Sequence, residues 1–102
     1  MHFVSEELED YTEKHSQDEP QLLAELNRET NQKILLPRML SGHLQGRVLS
    51  MLAKLINPEH ILEIGTYTGY ATLCLAEGMQ SNGTLDTIDI NEELVDFQRK
   101  YF

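Results

Sequence analysis

The stretch from His60 to Tyr70 constrains this chain more than any other. An aliphatic run, His60-Ile61-Leu62-Glu63-Ile64, meets Gly65 and then Gly69 before a helical pattern resumes at Tyr70. Aliphatic and β-branched residues cut off by glycine read as a buried strand. The glycines permit a tight turn and let backbone approach a ligand closely. The helical pattern runs from Tyr70 to Met79, Ser81-Asn82-Gly83 makes a turn, and Thr84 to Ile90 reads as a second strand carrying Asp89 at its end. A strand, a helix and a strand of this length predict a right-handed crossover between parallel neighbours. Both strand C-termini then share one edge of the sheet, which brings Gly65 and Asp89 together.

The flanks read as helices. Val4, Leu8 and Tyr11 recur at helical spacing among acids, predicting an amphipathic helix over about Ser5 to His15. Pro20 suits the first turn of a second, short helix with Leu22, Leu23 and Leu26 as its stripe, before Asn27 to Gln32 turns polar. Ile34-Leu35-Leu36-Pro37 leads into a loop, and Ser41-Gly42 then opens a longer helix bearing Leu44, Val48, Leu52 and Leu55, ended by Asn57-Pro58. Asn91 caps a last helix, with Glu92 and Glu93 in its first turn and Leu94, Phe97 and Tyr101 facing inward. The fold class is therefore α/β: helices followed by a β-α-β unit with parallel strands. At 102 residues one domain is the ceiling. Two parallel strands alone leave a sheet short of the elements that cover its faces, so the reading is a single partial domain. Residues 1–56 supply N-terminal helices and residues 57–102 the β-α-β half, with the remainder expected downstream.

Charge and cysteine usage narrow the function classes. The formal charge of −9 is densest from Glu6 to Glu19 and disfavours polyanion binding by this surface; the run reads as a solvated helix face. A single cysteine, Cys74, excludes an internal disulfide, and its apolar neighbours predict a buried thiol. No apolar run has membrane-spanning length and the N-terminus lacks a signal pattern, so the expectation is a cytoplasmic protein without a membrane partner. His2, His15, His43 and His60 have no paired ligand spacing, which argues against zinc. His43 reads as a helix-start histidine bonded locally, with a position facing a substrate cavity as the alternative.

The turn carries the chemistry. Glu63-Ile64-Gly65-Thr66-Tyr67-Thr68-Gly69 is an E-x-G-x-x-x-G pattern at the head of a helix. A dinucleotide loop usually reads G-x-G-x-x-G, whereas Glu63 stands where its first glycine would be and opposes a phosphate. A ligand with a carboxylate, an ammonium group and a ribose fits better, with loop N–H groups taking the carboxylate and Asp89 accepting the ribose hydroxyls. Taken singly, Gly65 and Gly69 also suit a ligand-free turn, Glu63 and Asp89 suit helix caps, and Tyr67 and Tyr70 suit either packing or stacking on an adenine. The joint placement of the glycines with both acids favours S-adenosylmethionine (SAM).

Leu62 to Tyr70, Asp89 and the upstream Met39-Leu40-Ser41-Gly42 together resemble the cation-dependent SAM O-methyltransferases that include caffeoyl-CoA and catechol methyltransferases, over most of Leu36 to Phe102. The resemblance implies a Rossmann-like class I SAM methyltransferase fold. It assigns the cofactor site to Met39, Ser41, Gly42, Glu63, Gly65, Thr66, Tyr70, Ala71 and Asp89. Ala71 stands where the family commonly has a serine, so only its backbone is expected to contribute. The implied reaction is methyl transfer to a hydroxyl of a small, catechol-like acceptor, with a divalent cation, typically Mg2+, whose ligands lie downstream. No catalytic or metal-ligating residue is assigned within this chain, which is expected to be inactive alone, and a homodimer is implied. The alternatives are a tRNA hydroxyuridine methyltransferase of the same family, a non-catalytic self-associating fragment, and a fragment of an NAD-binding dehydrogenase.

Overall fold

The computed structural model describes residues 4–34 and 39–102. Leu35, Leu36 and Pro37 of the expected loop lie outside the described residues. The elements run α1 (Glu6–Lys14), α2 (Gln21–Lys33), α3 (Gly42–Ile56), β1 (His60–Ile64), α4 (Tyr70–Ala76), β2 (Thr84–Ile88), a 3-10 turn (Glu92–Leu94) and α5 (Val95–Tyr101). The strands pair in parallel, Leu62 opposite Asp86 and Ile64 opposite Ile88, with α4 as the crossover, as the glycine pattern predicts.

The helix α2 is longer than its leucine stripe suggests. Its polar second half stays helical because the buried positions are Leu23, Leu26 and then Thr30, which is fully buried. Thr30 satisfies its hydroxyl locally, donating to the Leu26 carbonyl at 2.7 Å. A threonine that bonds back along its own helix buries almost as a small apolar residue, so the stripe continues without appearing apolar. The helix α4 is shorter than its pattern predicts: it stops at Ala76, and the tight turns from Glu77 to Met79 contain Gly78, which lies against Ala53 and Lys54 of α3.

The largest difference concerns α3. Leu44, Val48, Leu52 and Leu55 are all exposed, whereas Gly46, Arg47, Ser50 and Ala53 are buried. Small residues face α4 so that the two helices approach closely. A Cβ at Gly46 would lie 2.7 Å from both the Cys74 sulfur and Cε1 of Tyr70. The apolar ridge of α3 points away from that contact. Ser41 occupies the N-cap position of α3, but its side chain makes no capping bond.

The core is formed by Leu23 and Leu26 of α2, Tyr70 and Cys74 of α4, and Tyr101 of α5, with Leu40, Leu49, Leu73 and Phe97 packed against it. Each fully buried leucine contributes about 2 kcal/mol of hydrophobic transfer. Burial pushes the Cys74 thiol above its ordinary range, as expected for a core sulfhydryl. The strands are less buried than an aliphatic run predicts. One face of the sheet meets α4, burying Glu63, while Leu62, Ile64 and Ile88 on the opposite face are 65%, 82% and 54% exposed. Among the described residues helices pack on one face of the sheet only. The strand β2 also ends at Ile88, leaving Asp89 and Ile90 outside it.

Candidate cofactor site

At the carboxyl ends of the two strands the chain turns sharply. Gly65 has φ +96°, a region open to glycine and costly for other residues. Its N–H donates to the Ile88 carbonyl at 2.7 Å, extending the parallel ladder by one bond. A Cβ at Gly65 would meet nothing within 4 Å, so the glycine is required here by backbone conformation and leaves open space beside the turn.

Asp89 holds this turn. Its Oδ2 accepts from the backbone N–H of Thr66 at 3.0 Å and of Tyr67 at 2.8 Å, and its Oδ1 accepts from the Asn91 N–H at 3.0 Å. The Asn91 and Tyr67 amides hold its carboxyl below the usual aspartate range, because backbone donors favour the charged form. The juxtaposition of Gly65 and Asp89 expected from the crossover is therefore present, in a form the sequence does not suggest: the acid bonds the loop itself. The amides of Gly65, Thr66, Tyr67 and Gly69 are all engaged within the protein. In this conformation none of the four is left to receive a ligand carboxylate.

Glu63 lies beneath the turn. Its Oε1 accepts from Thr72 Oγ1 of α4 and from Thr87 Oγ1 of β2, the latter at 2.8 Å, and Thr87 in turn bonds the Thr66 hydroxyl. A chain of hydroxyls thus runs from Glu63 through Thr87 to Thr66, whose amide reaches Asp89. With 9% of its surface exposed, Glu63 is a buried acid whose polar partners are supplied by the turn's own supports.

A cavity of about 650 Å3 opens beside Asp89. Among the described residues Met39, Tyr67, Asp89 and Asn91 line it, together with Lys33 and Ile34 at the end of α2. Ile90, Glu93 and Leu94 complete the wall. Of the sequence-derived set, Met39 and Asp89 line this space, and Thr66 adjoins it through its bond to Asp89. Ser41 and Gly42 follow Met39 at the start of α3. Tyr70 is 2% exposed in the core, with its hydroxyl bonded to Glu19, and burial pushes that hydroxyl well above the ordinary tyrosine range. Ala71 is half-buried in the first turn of α4 and does not line the cavity. His43, the helix-start histidine, has its Nδ1 buried without a hydrogen-bond partner among the described residues. The contributions of Lys33, Asn91 and Glu93 were not evident from sequence. Asn91 carries a readable signal as a cap, since its side chain accepts from the Glu93 N–H at 3.0 Å.

The sequence profile of the O-methyltransferase family matches residues 13–102. The chain belongs to that family. It is 40% identical over 75 residues, 74% of its length, to a caffeoyl-CoA O-methyltransferase of Petroselinum crispum, and that match covers 31% of the relative. An SAH-bound methyltransferase of Podospora anserina superposes on the whole chain with a TM-score of 0.85 at 29% identity, the chain covering 46% of that protein. An O-methyltransferase of Bacillus cereus in complex with SAH gives a TM-score of 0.78 at 30% identity over 93% of this chain and 43% of its own. The family member described here thus has the Rossmann-like fold of class I SAM methyltransferases, and it spans less than half the length of these relatives. No helix among the described residues is long and apolar enough to cross a membrane.

Proposed function

We propose that this chain is the cofactor-binding part of a SAM-dependent O-methyltransferase acting on a hydroxyl of a small, catechol-like acceptor. The observation that carries the reading is the cavity at the carboxyl ends of two parallel strands, bounded by Asp89, where open α/β sheets bind their ligands. SAM, when bound, supplies an electrophilic methyl group on a sulfonium. The protein's task is alignment, because in-line displacement needs the acceptor oxygen and methyl carbon held in one geometry.

Within this chain, Asp89 is the ribose anchor. Its carboxylate lines the cavity, and the backbone amides of Asn91, Tyr67, Thr66 and Ile90 favour its charged form, the form that accepts a ligand hydroxyl. Gly65 and Thr66 form the backbone wall, Met39 with Ser41 and Gly42 covers the opposite side, and Glu63 supports the turn through Thr87. Tyr70 and Ala71, at the start of α4, stand behind this wall: Tyr70 is packed in the core and neither side chain lines the cavity. We read residues 1–102 as a single partial domain in which 1–56 cover the site and 57–102 build it. For the divalent cation that the family resemblance implies, no group of three or more His, Cys, Asp or Glu side chains among the described residues could hold a metal ion. The exposed ridge Leu44, Val48 and Leu55 on α3 supports a homodimer.

Calorimetric titration of the chain with S-adenosylhomocysteine tests this, with NAD as control. Saturable binding that Asp89→Ala abolishes is the expected outcome. Binding of NAD in its place would sink the methyltransferase reading.

A further inference from the structure

Tyr67 is a non-glycine residue in the left-handed region, with φ +50°, a conformation that disfavours a bulky side chain. It sits in the turn and lines the cavity. Its peptide groups are gripped from two directions: the N–H by Asp89 Oδ2 at 2.8 Å, and the carbonyl by the side-chain amide of Gln98, whose Nε2 donates at 2.6 Å. Gln98 lies on α5, is half-buried, and does not line the cavity.

We infer that Gln98 is a positioning residue that sets the cofactor-binding turn from behind, by holding the Tyr67 carbonyl and so keeping Tyr67 in its left-handed conformation. The inference rests on the cofactor reading above. A strained backbone conformation persists when its surroundings fix it on more than one side, and here the donor comes from a helix that is itself anchored. Lys100 and Tyr101, next along α5, both bond Glu29 of α2, Lys100 at 2.8 Å. On its other flank the same turn is tied to α2 by a hydrogen bond between the Thr30 and Thr68 hydroxyls, 3.2 Å apart. The turn is thus fixed relative to α2 and α5 together, and Gln98 supplies the grip on its strained residue. A neutral side-chain hydrogen bond of this kind is worth roughly a threefold to tenfold change in an equilibrium constant.

The test compares Gln98→Ala, Gln98→Lys and Gln98→Glu in the full chain. The readouts are S-adenosylhomocysteine affinity, amide hydrogen exchange at Thr66 to Gly69, and the thermal midpoint. Gln98→Ala is expected to weaken binding by about tenfold or less, to speed exchange of the Tyr67 amide, and to leave the midpoint within a few degrees of wild type. Gln98→Lys restores a donor and recovers both affinity and protection; Gln98→Glu, an acceptor when ionised, does not. Wild-type affinity and exchange in Gln98→Ala would overturn the assignment, as would a loss that Gln98→Lys fails to rescue. If the wild-type chain does not bind S-adenosylhomocysteine, the cofactor reading fails, while Tyr67 exchange in the unliganded variants still decides whether Gln98 holds the turn.

Discussion

Glu63 stands at the head of the glycine motif, and the structure makes a specific claim about it: the carboxylate supports the turn and does not line the cavity. Truncation to alanine leaves the Thr72 and Thr87 hydroxyls without their shared acceptor in a buried setting. Hydrogen bonds to a charged acceptor contribute about 1.5–3 kcal/mol each. The carboxylate's own burial is costly and offsets part of this, so a net loss of about 3 kcal/mol is predicted for Glu63→Ala. In a domain of about this size each kcal/mol moves the thermal midpoint by about 4–8 °C, placing the variant roughly 15 °C below wild type. Glu63→Gln keeps an oxygen in place, exchanges charged bonds for neutral ones, and should lose only about 1 kcal/mol. Thermal melts followed by circular dichroism, paired with S-adenosylhomocysteine titration, separate the roles. A Glu63→Ala chain that melts like wild type would refute the supporting role. So would a Glu63→Gln chain of unchanged melt whose affinity collapses a hundredfold, because that pattern belongs to a residue touching the ligand.

Other perturbations follow from the same geometry. Gly46→Ala gains about 1 kcal/mol of helix propensity but drives a Cβ to 2.7 Å from the Cys74 sulfur and the Tyr70 ring, and overpacking of about 1–3 kcal/mol prevails; denaturant titration should show a net loss. Gly65→Ala meets open space, so its destabilisation should reflect conformation alone, about 1–2 kcal/mol, measurable in the same titration. The bonds from Lys100, Tyr101 and Lys33 depress the Glu29 carboxyl from 4.5 to about 2. Because the folded value is the lower one, its contribution is complete above pH 4.5 and is lost as the pH falls towards 2. Glu29→Gln should therefore flatten the acid dependence of stability across that window, and an unchanged slope would count against the α2 to α5 tie. Tyr101, whose hydroxyl is pushed up to about 12 by burial and by Glu29, should remain protonated in an ultraviolet titration through pH 10.

The β-α-β unit was legible because its signals are local and redundant: an aliphatic run, two glycines at the turn, and an acid at the end of the second strand. The parallel register and the meeting of Gly65 with Asp89 followed from chain handedness. Packing was harder to read where burial and hydrophobicity part company. Thr30 and Ser50 are buried and polar, whereas Leu44 and Leu55 are apolar and exposed, so a stripe count misjudged the length of α2 and the inner face of α3. The strands read as buried because their composition is that of a sheet covered on both faces, and among the described residues helices cover one. At the site, residue types pointed to Asp89 and the family resemblance to Met39, but hydrogen-bond assignment is a property of three dimensions. Neither Asp89's grip on two amides nor the reach of Gln98 to Tyr67 leaves a trace in spacing.

The outward ridge of α3 and the bare face of the sheet also govern how the chain behaves in bulk solution. Apolar side chains such as Leu55 and Ile64 are 75% and 82% exposed, and at neutral pH the opposing influence is mutual repulsion from a net charge of −9. That repulsion vanishes near the sequence pI of about 4.7 and is screened within about 10 Å at 0.1 M salt. Colloidal stability is therefore an electrostatic property of this chain, greatest in dilute buffer well above pH 5, and light scattering should rise on acidification before the acid-resistant Glu29 contacts begin to give way.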